Sequence, residues 1–276
     1  MKKYLKILAL IVAVVLIVGL ACFANALNGN PISKMLAKRT GEKYLSETYV
    51  GTDYYIDRVS YNFKDGNYHV FIKSPTSIDT EFTLVITMLG EFCYDTYDSV
   101  VNGLNTARRI EMEYRELADT VFESPAFPYC SEITYGTLEI YPEEALKNSE
   151  VNEIPPYALN QNELVLDKIY DVRALGKQAG HLIVYVDNNR VTFDDAAEIM
   201  LNIKKMFDDA AVPFVAIDFV LQYPKPEEEG RRPEGEVRVE NFSYAEIYED
   251  GMVERICEAH EALEEYYEEM DALKKE

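Results

Sequence analysis

Two stretches of the chain hold residues whose types and spacing could bind a metal ion. In the first, Asp187, Asn189 and Glu198 occupy the first, third and twelfth positions of a calcium-binding loop. Val191 stands at the fifth position, where an oxygen ligand belongs, and Thr192 replaces the glycine that makes the turn. Thr192 followed by an acid three residues later is instead typical of a helix start. We therefore predict a capped helix here and no metal site.

The second stretch, His260–Glu264, resembles half of the helical motif of zinc proteases. Glutamate stands at position 264, where the second histidine ligand belongs, so this route to a protease is excluded. His260 also falls in an apolar series with helical spacing: Val253, Ile256, His260, Leu263, Tyr267 and Met270. We predict a terminal helix that docks against its own sheet, with dimerisation through this stripe as the alternative.

The rest of the chain carries no recognisable catalytic motif. There is no GxSxG, no glycine-rich phosphate loop and no SxxK, and His69 and His181 have no nucleophile near them in sequence. Cys93, Cys130 and Cys257 are widely spaced and form no CxxC pair, so zinc binding and a disulfide framework are not indicated. We predict no catalytic, cofactor-binding or metal-binding residues and no cofactor; catalysis by scattered carboxylates is the alternative.

The first half of the chain has the pattern of an α+β fold. A helix is predicted over 30–48, with Met35, Leu36, Tyr44 and Leu45 as its buried positions. Alternation at Tyr55, Val59, Tyr61 and Phe63, then at Tyr68, Val70 and Ile72, predicts a hairpin turning at Asp65–Gly66. A strand over 81–88, a helix running from Val100 to Val121 and a strand over 132–141 follow.

The second half has a similar order of elements. Helices are predicted over 163–177 and 193–211, strands over 181–186, 214–223 and 236–242, and a terminal helix from about Gly251. The helix from Phe193 has one apolar stripe: Phe193, Ala197, Met200, Ile203 and Phe207.

Residues 142–161, rich in proline and amides, divide these halves. We predict an N-terminal segment over 1–28, a first α+β half over 29–141, a linker over 142–161 and a second α+β half over 162–276. In each half a strand ends in Tyr-Pro, at 141–142 and 223–224, which suggests duplication of one unit. Chance is the competing explanation, because helix–strand order recurs easily.

The N-terminal segment is apolar enough to cross a membrane. Ile7–Ala24 contains no charge, and 12 of its residues are Leu, Ile, Val or Phe. Their insertion at mid-bilayer is favourable by about 5 kcal/mol in total. An uncleaved anchor is favoured; a signal peptide cleaved after Ala26 and a lipoprotein signal at Cys22 are the alternatives, although the leucine before Cys22 is one position too close.

Charge distribution bears on the orientation of that anchor. Lys2, Lys3 and Lys6 precede the apolar segment and favour a cytoplasmic N-terminus, although Lys34 and Lys38 on the other side weaken the asymmetry. We predict a single-pass cell-membrane protein whose C-terminal domain is extracytoplasmic.

Composition excludes several classes of function. The net charge of −22 repels nucleic acid, so no nucleic-acid partner is expected. Hydrophobic residues make up 48% of the chain, which excludes a disordered protein. The absence of tryptophan beside 21 tyrosines lowers the expectation of a carbohydrate-stacking site.

Several stretches carry a family resemblance that spans both halves. These are NALNGNPISK (25–34), VSYNFKDGNYHV (59–70), KSPTSIDTEF (73–82), PFVAIDFVLQYPKPEEE (213–229) and IYEDGMVER (247–255). They resemble the YfjL-like group of membrane-anchored proteins of Gram-positive bacteria. The resemblance implies one N-terminal anchor and an α+β ectodomain, and it transfers no activity. Residues 33–74 are also similar in shape to PepSY and cystatin-like modules, which would imply a regulatory or inhibitory binding role.

The sequence thus predicts a membrane-anchored binding, sensing or adaptor protein without catalytic activity. Its partners would be the membrane, through the N-terminal helix, and another envelope protein or a peptide. The alternative is a cell-envelope hydrolase that uses paired carboxylates in a cleft between the halves. A purely structural domain is the third possibility.

Overall fold

The computed structural model of this protein describes residues 2–130, 133–147, 154–226 and 231–273. Within these ranges the chain is a mixed α+β protein, as predicted. It divides into two compact units, Met1–Thr106 with Val165–Asp167, and Ala107–Leu164 with Lys168–Glu276. The predicted division into 29–141, 142–161 and 162–276 stays a prediction, and residues 148–153 of that linker lie outside the described ranges.

The chain begins with a long apolar helix, α1 (Lys2–Asn28). An 18-residue window in it has a mean hydropathy of 3.2, and none of that window is buried against the rest of the protein. Among the described residues it is the one helix that is long and apolar enough to cross a membrane. An exposed apolar surface of this extent is typical of a membrane span or a signal sequence.

The first unit is a four-stranded antiparallel meander with a helix on one face. Its elements are α2 (Pro31–Thr48), β1 (Tyr55–Asn62), β2 (Asn67–Lys73), β3 (Glu81–Ile86), β4 (Phe92–Asp95) and α3 (Asp98–Val101). The strand order is β1-β2-β3-β4. The predicted helix, hairpin and third strand are confirmed. Gly66 turns the hairpin at a φ of 71°, which a residue with a side chain rarely adopts.

The face of α2 that packs on the sheet is not the predicted one. Ser33, Ala37 and Gly41 are buried, while Met35 is exposed and Leu36, Tyr44 and Leu45 are only half-buried. A Cβ atom on Gly41 would lie 3.1 Å from Val70 Cγ1. The helix therefore lies so close to the strands that its contact stripe needs small residues, and larger ones flank it.

A β-bulge corrects the predicted face of β1. The pairing of β1 with β2 shifts between Ile56 and Arg58, so one residue is inserted in β1. Tyr55 consequently points out, whereas Val59 and Tyr61 pack on the core of the unit. Phe63 lies beyond the strand, in the turn, and is exposed.

The helix predicted from Val100 to Val121 is broken at its start. Gly103, with a φ of 79°, separates α3 from α4 (Leu104–Phe122). On α4 the predicted positions Ala107, Ile110, Tyr114 and Val121 are buried.

The second unit has a mixed, mostly antiparallel sheet with helices. Besides α4 it contains β5 (Thr134–Leu138), β6 (Ile140–Tyr141), α5 (Glu143–Lys147), β7 (Leu159–Asn160), α6 (Val172–Ala179), β8 (Gly180–Asp187), α7 (Phe193–Asp209), β9 (Ala216–Gln222), β10 (Glu236–Ser243) and α8 (Met252–Leu273). The sheet order is β10-β9-β8-β5, with β8 and β9 parallel across the α7 crossover and the other pairs antiparallel. The apolar stripe of α7 packs on the inner faces of β8 and β9.

The helix predicted over 163–177 is shorter than expected. It begins only at Val172, because the Asp171 side chain accepts hydrogen bonds from the amides of Arg173 and Ala174. Asp167, with a φ of 63°, is in the left-handed region, which a continuous right-handed helix cannot include.

The strand orders do not support the suggested duplication. The predicted strand ending at Tyr141 is divided: β5 pairs with β8 in the sheet that contains β9, whereas β6, with Tyr141, pairs with β7 in a separate two-stranded sheet. The first sheet is an antiparallel meander without a parallel pair, whereas the second contains one. The two sheets therefore differ in topology.

A fully buried tyrosine explains three glycines of the second unit. Tyr114 donates a hydrogen bond to the carbonyl of Pro213 at 2.8 Å. Cβ atoms on Gly136, Gly176 and Gly180 would lie 3.1, 2.6 and 2.5 Å from atoms of its side chain. These glycines therefore form the slot for the ring.

Replacing Gly176 by alanine is expected to lower the free energy of unfolding of the second unit by about 1–3 kcal/mol. The added methyl group would also lie 2.6 Å from the carbonyl oxygen of Pro213, so backbone must move. An exposed helical glycine would instead gain stability from this change. Urea unfolding monitored by hydrogen exchange measures the effect, and Gln178→Ala on the exposed face of α6 is the matched control. A stabilised Gly176→Ala variant would contradict the packing.

Candidate functional site

The calcium-like stretch is a helix cap in the structure. Thr192 Oγ1 accepts a hydrogen bond from the amide of Asp195 at 3.1 Å, and Asp195 also pairs with Arg190. Asp187 instead pairs with Arg232 and accepts a bond from Gln222 Nε2 at 3.0 Å. The predicted cap is confirmed. No set of three or more metal-ligating side chains comes together in the ranges that the structure describes.

His260 lies where the predicted stripe of α8 meets the sheet. Its ring packs against that of Phe193, with centroids 5.5 Å apart, and its Nδ1 lies 3.2 Å from the amide nitrogen of Arg238. Helix α8 contacts β10 and α7. The predicted docking of this helix on its own sheet is therefore confirmed.

A group of titratable side chains surrounds His181, at the start of β8. Its side chain is 5% exposed. Nδ1 lies 2.9 Å from Glu139 Oε1 and 3.1 Å from the Tyr157 hydroxyl, and Nε2 lies 2.9 Å from Asp218 Oδ1. Asp218 stands off the direction of the N–H bond, so that contact is electrostatic rather than a well-aligned hydrogen bond. Each ring nitrogen thus faces a carboxylate.

A distortion of β10 completes this cluster. The pairing of β10 with β9 shifts between Val239 and Phe242, and Asn241 there has a φ of 50°. Asparagine tolerates this left-handed conformation better than most residues. Its amide donates to Asp218 Oδ1 at 2.7 Å, and its side-chain oxygen accepts from the Tyr157 hydroxyl at 3.0 Å. The bulge therefore holds the outer partners of the histidine in place.

The electrostatics of the cluster favour the protonated form of His181. Burial lowers its pKa, but the negative charges of Asp218 and Glu139 close to the ring outweigh burial and raise the pKa to about 9. Burial, together with Glu139, raises the pKa of Tyr141 to about 12. A pKa above neutrality favours the protonated His181 ring at pH 7. The ion pairs link the end of β5 to β8 and β9.

The stability of the second unit is expected to depend on pH above neutrality. The folded pKa of His181 lies above the ordinary value of 6.5, so the contribution is fully present below about pH 6.5 and is lost as the pH rises through about 9. The loss amounts to about 3 kcal/mol at most. Urea midpoints measured between pH 6 and pH 10 check this.

The matched control is His181→Gln, which has no proton to lose in that range. Its stability should be lower at pH 6 and should change little up to pH 9. An equal alkaline loss in both proteins would assign the effect to other groups.

Sequence reasoning missed this cluster because its members are far apart in the chain. The available signal was an ionisable residue within an apolar strand, Asp218 in VAIDFV. In the sheet Ile183 pairs with Asp218, which brings the acid diagonally next to His181. That register could not be read from periodicity.

The second unit also has a cleft of about 480 Å³ beside α6 and α7. Phe207 and Phe214 back it, and Tyr244 forms one side. Arg173 and Lys177, one turn apart on α6, are exposed at its mouth. An Arg173 Nη1 donates to the carbonyl oxygens of Ala210 and Ala211, which positions the guanidinium.

One acid, Asp208, also lines this cleft, but its carboxylate is paired with a lysine and a tyrosine hydroxyl. Asp208 Oδ2 lies 2.8 Å from Lys204 Nζ, and Asp208 Oδ1 accepts a hydrogen bond from the Tyr244 hydroxyl at 2.8 Å. Lys204 in turn lies 3.9 Å from the centroid of the Tyr244 ring. The cleft therefore combines an aromatic floor with two cations at the mouth, in a chain that is acidic overall.

Comparison with known families gave two matches that cover most of the chain. A family model described as "YfjL-like, N-terminal domain" matches residues 3–115. A second, described as "YfjL-like C-terminal domain", matches residues 113–257. Comparisons with curated proteins and with solved structures gave no significant match.

Proposed function

From the premise that this chain belongs to the YfjL-like family, we propose that it is a membrane-anchored, extracytoplasmic binding protein without catalytic activity. Its ligand would be the carboxyl terminus of a peptide or an envelope protein. The cleft of the second unit carries the proposal, because it combines apolar walls with two cations.

The anchoring part of the proposal rests on α1. The apolar side chains of α1 that the structure describes are exposed, and no part of its most apolar window packs on the folded units. A hydrocarbon solvent removes that surface from water. Lys2, Lys3 and Lys6 at its start support a cytoplasmic N-terminus and therefore an extracytoplasmic body.

The binding part rests on the chemistry of the cleft. A peptide carboxyl terminus offers a planar anion next to a side chain, and arginine binds carboxylates with two parallel hydrogen bonds. Arg173 is held by two backbone carbonyls, so little of its freedom would be lost on binding. The aromatic floor would take an apolar terminal side chain such as leucine or phenylalanine.

The ligand assignment is tested with full-length protein in detergent and fluorescent tripeptides that end in phenylalanine. We expect the peptide with a free carboxylate to bind more tightly than the same peptide with a C-terminal amide. Arg173→Gln with Lys177→Gln should weaken binding of the free acid by about tenfold or more, since a charge-assisted hydrogen bond contributes about 1.5–3 kcal/mol.

Lys205→Gln, an exposed cation on α7 outside the cleft, is the matched control and should bind like the unmodified protein. Equal affinity for acid and amide would contradict carboxylate recognition. If Lys205→Gln weakens peptide binding as much as the cleft variant does, the effect comes from the net charge of the protein rather than from the cleft.

The location is tested with native thiols, because Cys93 and Cys130 are exposed. A membrane-impermeant maleimide added to intact cells should label the protein, and Cys93→Ser with Cys130→Ser should remove most of that labelling. Labelling that requires lysis would place the body in the cytoplasm.

A hydrolase using paired carboxylates is the second candidate, and one observation favours it. Glu139 and Asp218 flank the same ring in a largely buried cluster. Hydrolysis of peptide or ester substrates by the purified protein, abolished by Asp218→Asn but retained in Asp194→Asn, would replace the binding proposal with this one.

A further inference from the structure

The link between α1 and the first unit is only two residues long and is held on both sides. Gly29 and Asn30 separate the two helices. The amide of Asn30 donates to the Tyr68 hydroxyl at 2.6 Å, and that hydroxyl donates to the carbonyl of Asn30 at 2.8 Å. A Cβ atom on Gly29 would lie 2.4 Å from the same hydroxyl, so only glycine fits there. The sheet therefore lies directly against the end of α1.

Tyr61 extends this contact down the helix. Its hydroxyl donates to the carbonyl of Ala26 at 3.0 Å. Ile7–Ala24 spans about 27 Å at 1.5 Å per residue, close to the thickness of a bilayer core of about 30 Å. With α1 inserted, Ala26 lies about 3 Å beyond the apolar stretch. The Tyr61 ring then lies at the level of the lipid headgroups, where tyrosine is enriched.

Two turns project from this same end of the sheet. Tyr61 pairs with Tyr68, and Tyr68 pairs with Ile86, so these residues lie side by side across three strands. The β1–β2 turn follows Tyr61, and the turn over 87–91 follows Ile86. At about 4.8 Å per strand spacing the two turns are about 10 Å apart.

Each of the two turns carries a large apolar residue whose side chain is exposed to solvent. Phe63 is 61% exposed and Leu89 is 79% exposed. Lys64 follows Phe63, and Lys34 lies in the first turn of α2; both are exposed. Phe63 next to Lys64 has the pattern of segments that rest in the interface of an anionic bilayer, whereas the turn with Leu89 contains Glu91 and contributes through its apolar side chain.

We propose that the β1–β2 and β3–β4 turns are a second membrane contact, in which Phe63 and Leu89 insert into the outer interface beside the anchor and Lys34 and Lys64 face anionic headgroups. This inference rests on the proposed anchoring of α1. The first unit would then be fixed on the bilayer at three points, the helix and the two turns, instead of swinging on a tether.

The absence of tryptophan gives a direct test. Phe63→Trp, Leu89→Trp and Val50→Trp each introduce a single reporter into the full-length protein. Val50 is the matched control, because it is 77% exposed and follows the far end of α2. Each protein is reconstituted into vesicles of phosphatidylcholine and phosphatidylglycerol, with or without lipids that carry a nitroxide near the headgroup. Co-flotation with the vesicles reports anchoring independently.

We expect the emission of Phe63→Trp and Leu89→Trp to shift to the blue and to be quenched by the nitroxide lipid, while Val50→Trp emits as in water and is not quenched. Proteins that float with the vesicles but show no more quenching at 63 and 89 than at 50 would overturn this inference and leave the anchor standing. Failure of the unmodified protein to float would overturn both. Using two reporter sites keeps the result decisive if one variant does not fold.

Discussion

Membrane retention is expected to be lost when Val14 and Ile17 are both replaced by arginine. Each arginine near the centre of a membrane helix costs about 2.5–3.5 kcal/mol, and the apolar contribution of the residue it replaces is lost as well. The sum, about 6–8 kcal/mol, exceeds the roughly 5 kcal/mol by which the apolar residues of the segment favour insertion. Alkaline extraction of membranes should then release the variant and leave the unmodified protein in the pellet.

Val14→Ala with Ile17→Ala is the control, since it removes the same side chains without adding charge. Both positions are exposed on α1, so neither pair of changes disturbs the packing of the first unit. The intact mass of the retained protein separates an anchor from a signal peptide, because cleavage after Ala26 would leave a chain that starts at Leu27. Release of the unmodified protein in the extraction, with that shorter mass, would contradict anchoring.

The largest loss of stability is expected from His181→Ala, at about 3–5 kcal/mol. The change leaves the largely buried Glu139 and the partly exposed Asp218 facing each other with no cation between them. Removing one partner of a buried ionic group is much more costly than removing the whole group. Hydrogen exchange of the β8 and β9 amides is the appropriate measurement, since it reports the stability of the strands that carry the cluster.

Two further variants separate the charge effect from the loss of a side chain. His69→Ala removes a histidine that pairs with Asp65 at 2.9 Å on the hairpin surface, and it should cost less than about 1 kcal/mol. Glu139→Gln, His181→Leu and Asp218→Asn combined should recover part of the stability lost in His181→Ala, since no buried charge remains. A triple variant less stable than His181→Ala would show that the cluster acts through packing rather than charge.

Most of the helices and strands follow from periodicity, and the errors have local physical causes. The helix over 31–48 was predicted, but its buried face was wrong, because a close approach to the sheet selects Ala37 and Gly41 over larger residues. The predicted face of β1 failed at a bulge, which hydrophobic alternation does not reveal. In the second unit, a capping aspartate at 171 started the helix eight residues or more after the predicted position.

The functional features were less accessible to sequence reasoning. The apolar N-terminal helix is visible because it depends on consecutive residues. Glu139, His181 and Asp218 come together only through the register of three strands, and the bulge at Asn241 that supports them depends on pairing as well. Likewise, Arg173 and Phe207 meet at one cleft because α6 and α7 pack near the start of β9. Spacing along the chain contains none of this information.

The two-residue junction at Gly29 and Asn30 limits how far the first unit can move away from α1. Fully extended, two residues span about 7 Å, and the hydrogen bonds to Tyr68 remove even that slack. With α1 inserted as proposed, the first unit would therefore stay close to the membrane surface. On the proposed anchoring, proteins embedded in the same bilayer would meet the first unit repeatedly by lateral motion, more often than molecules that diffuse freely in solution.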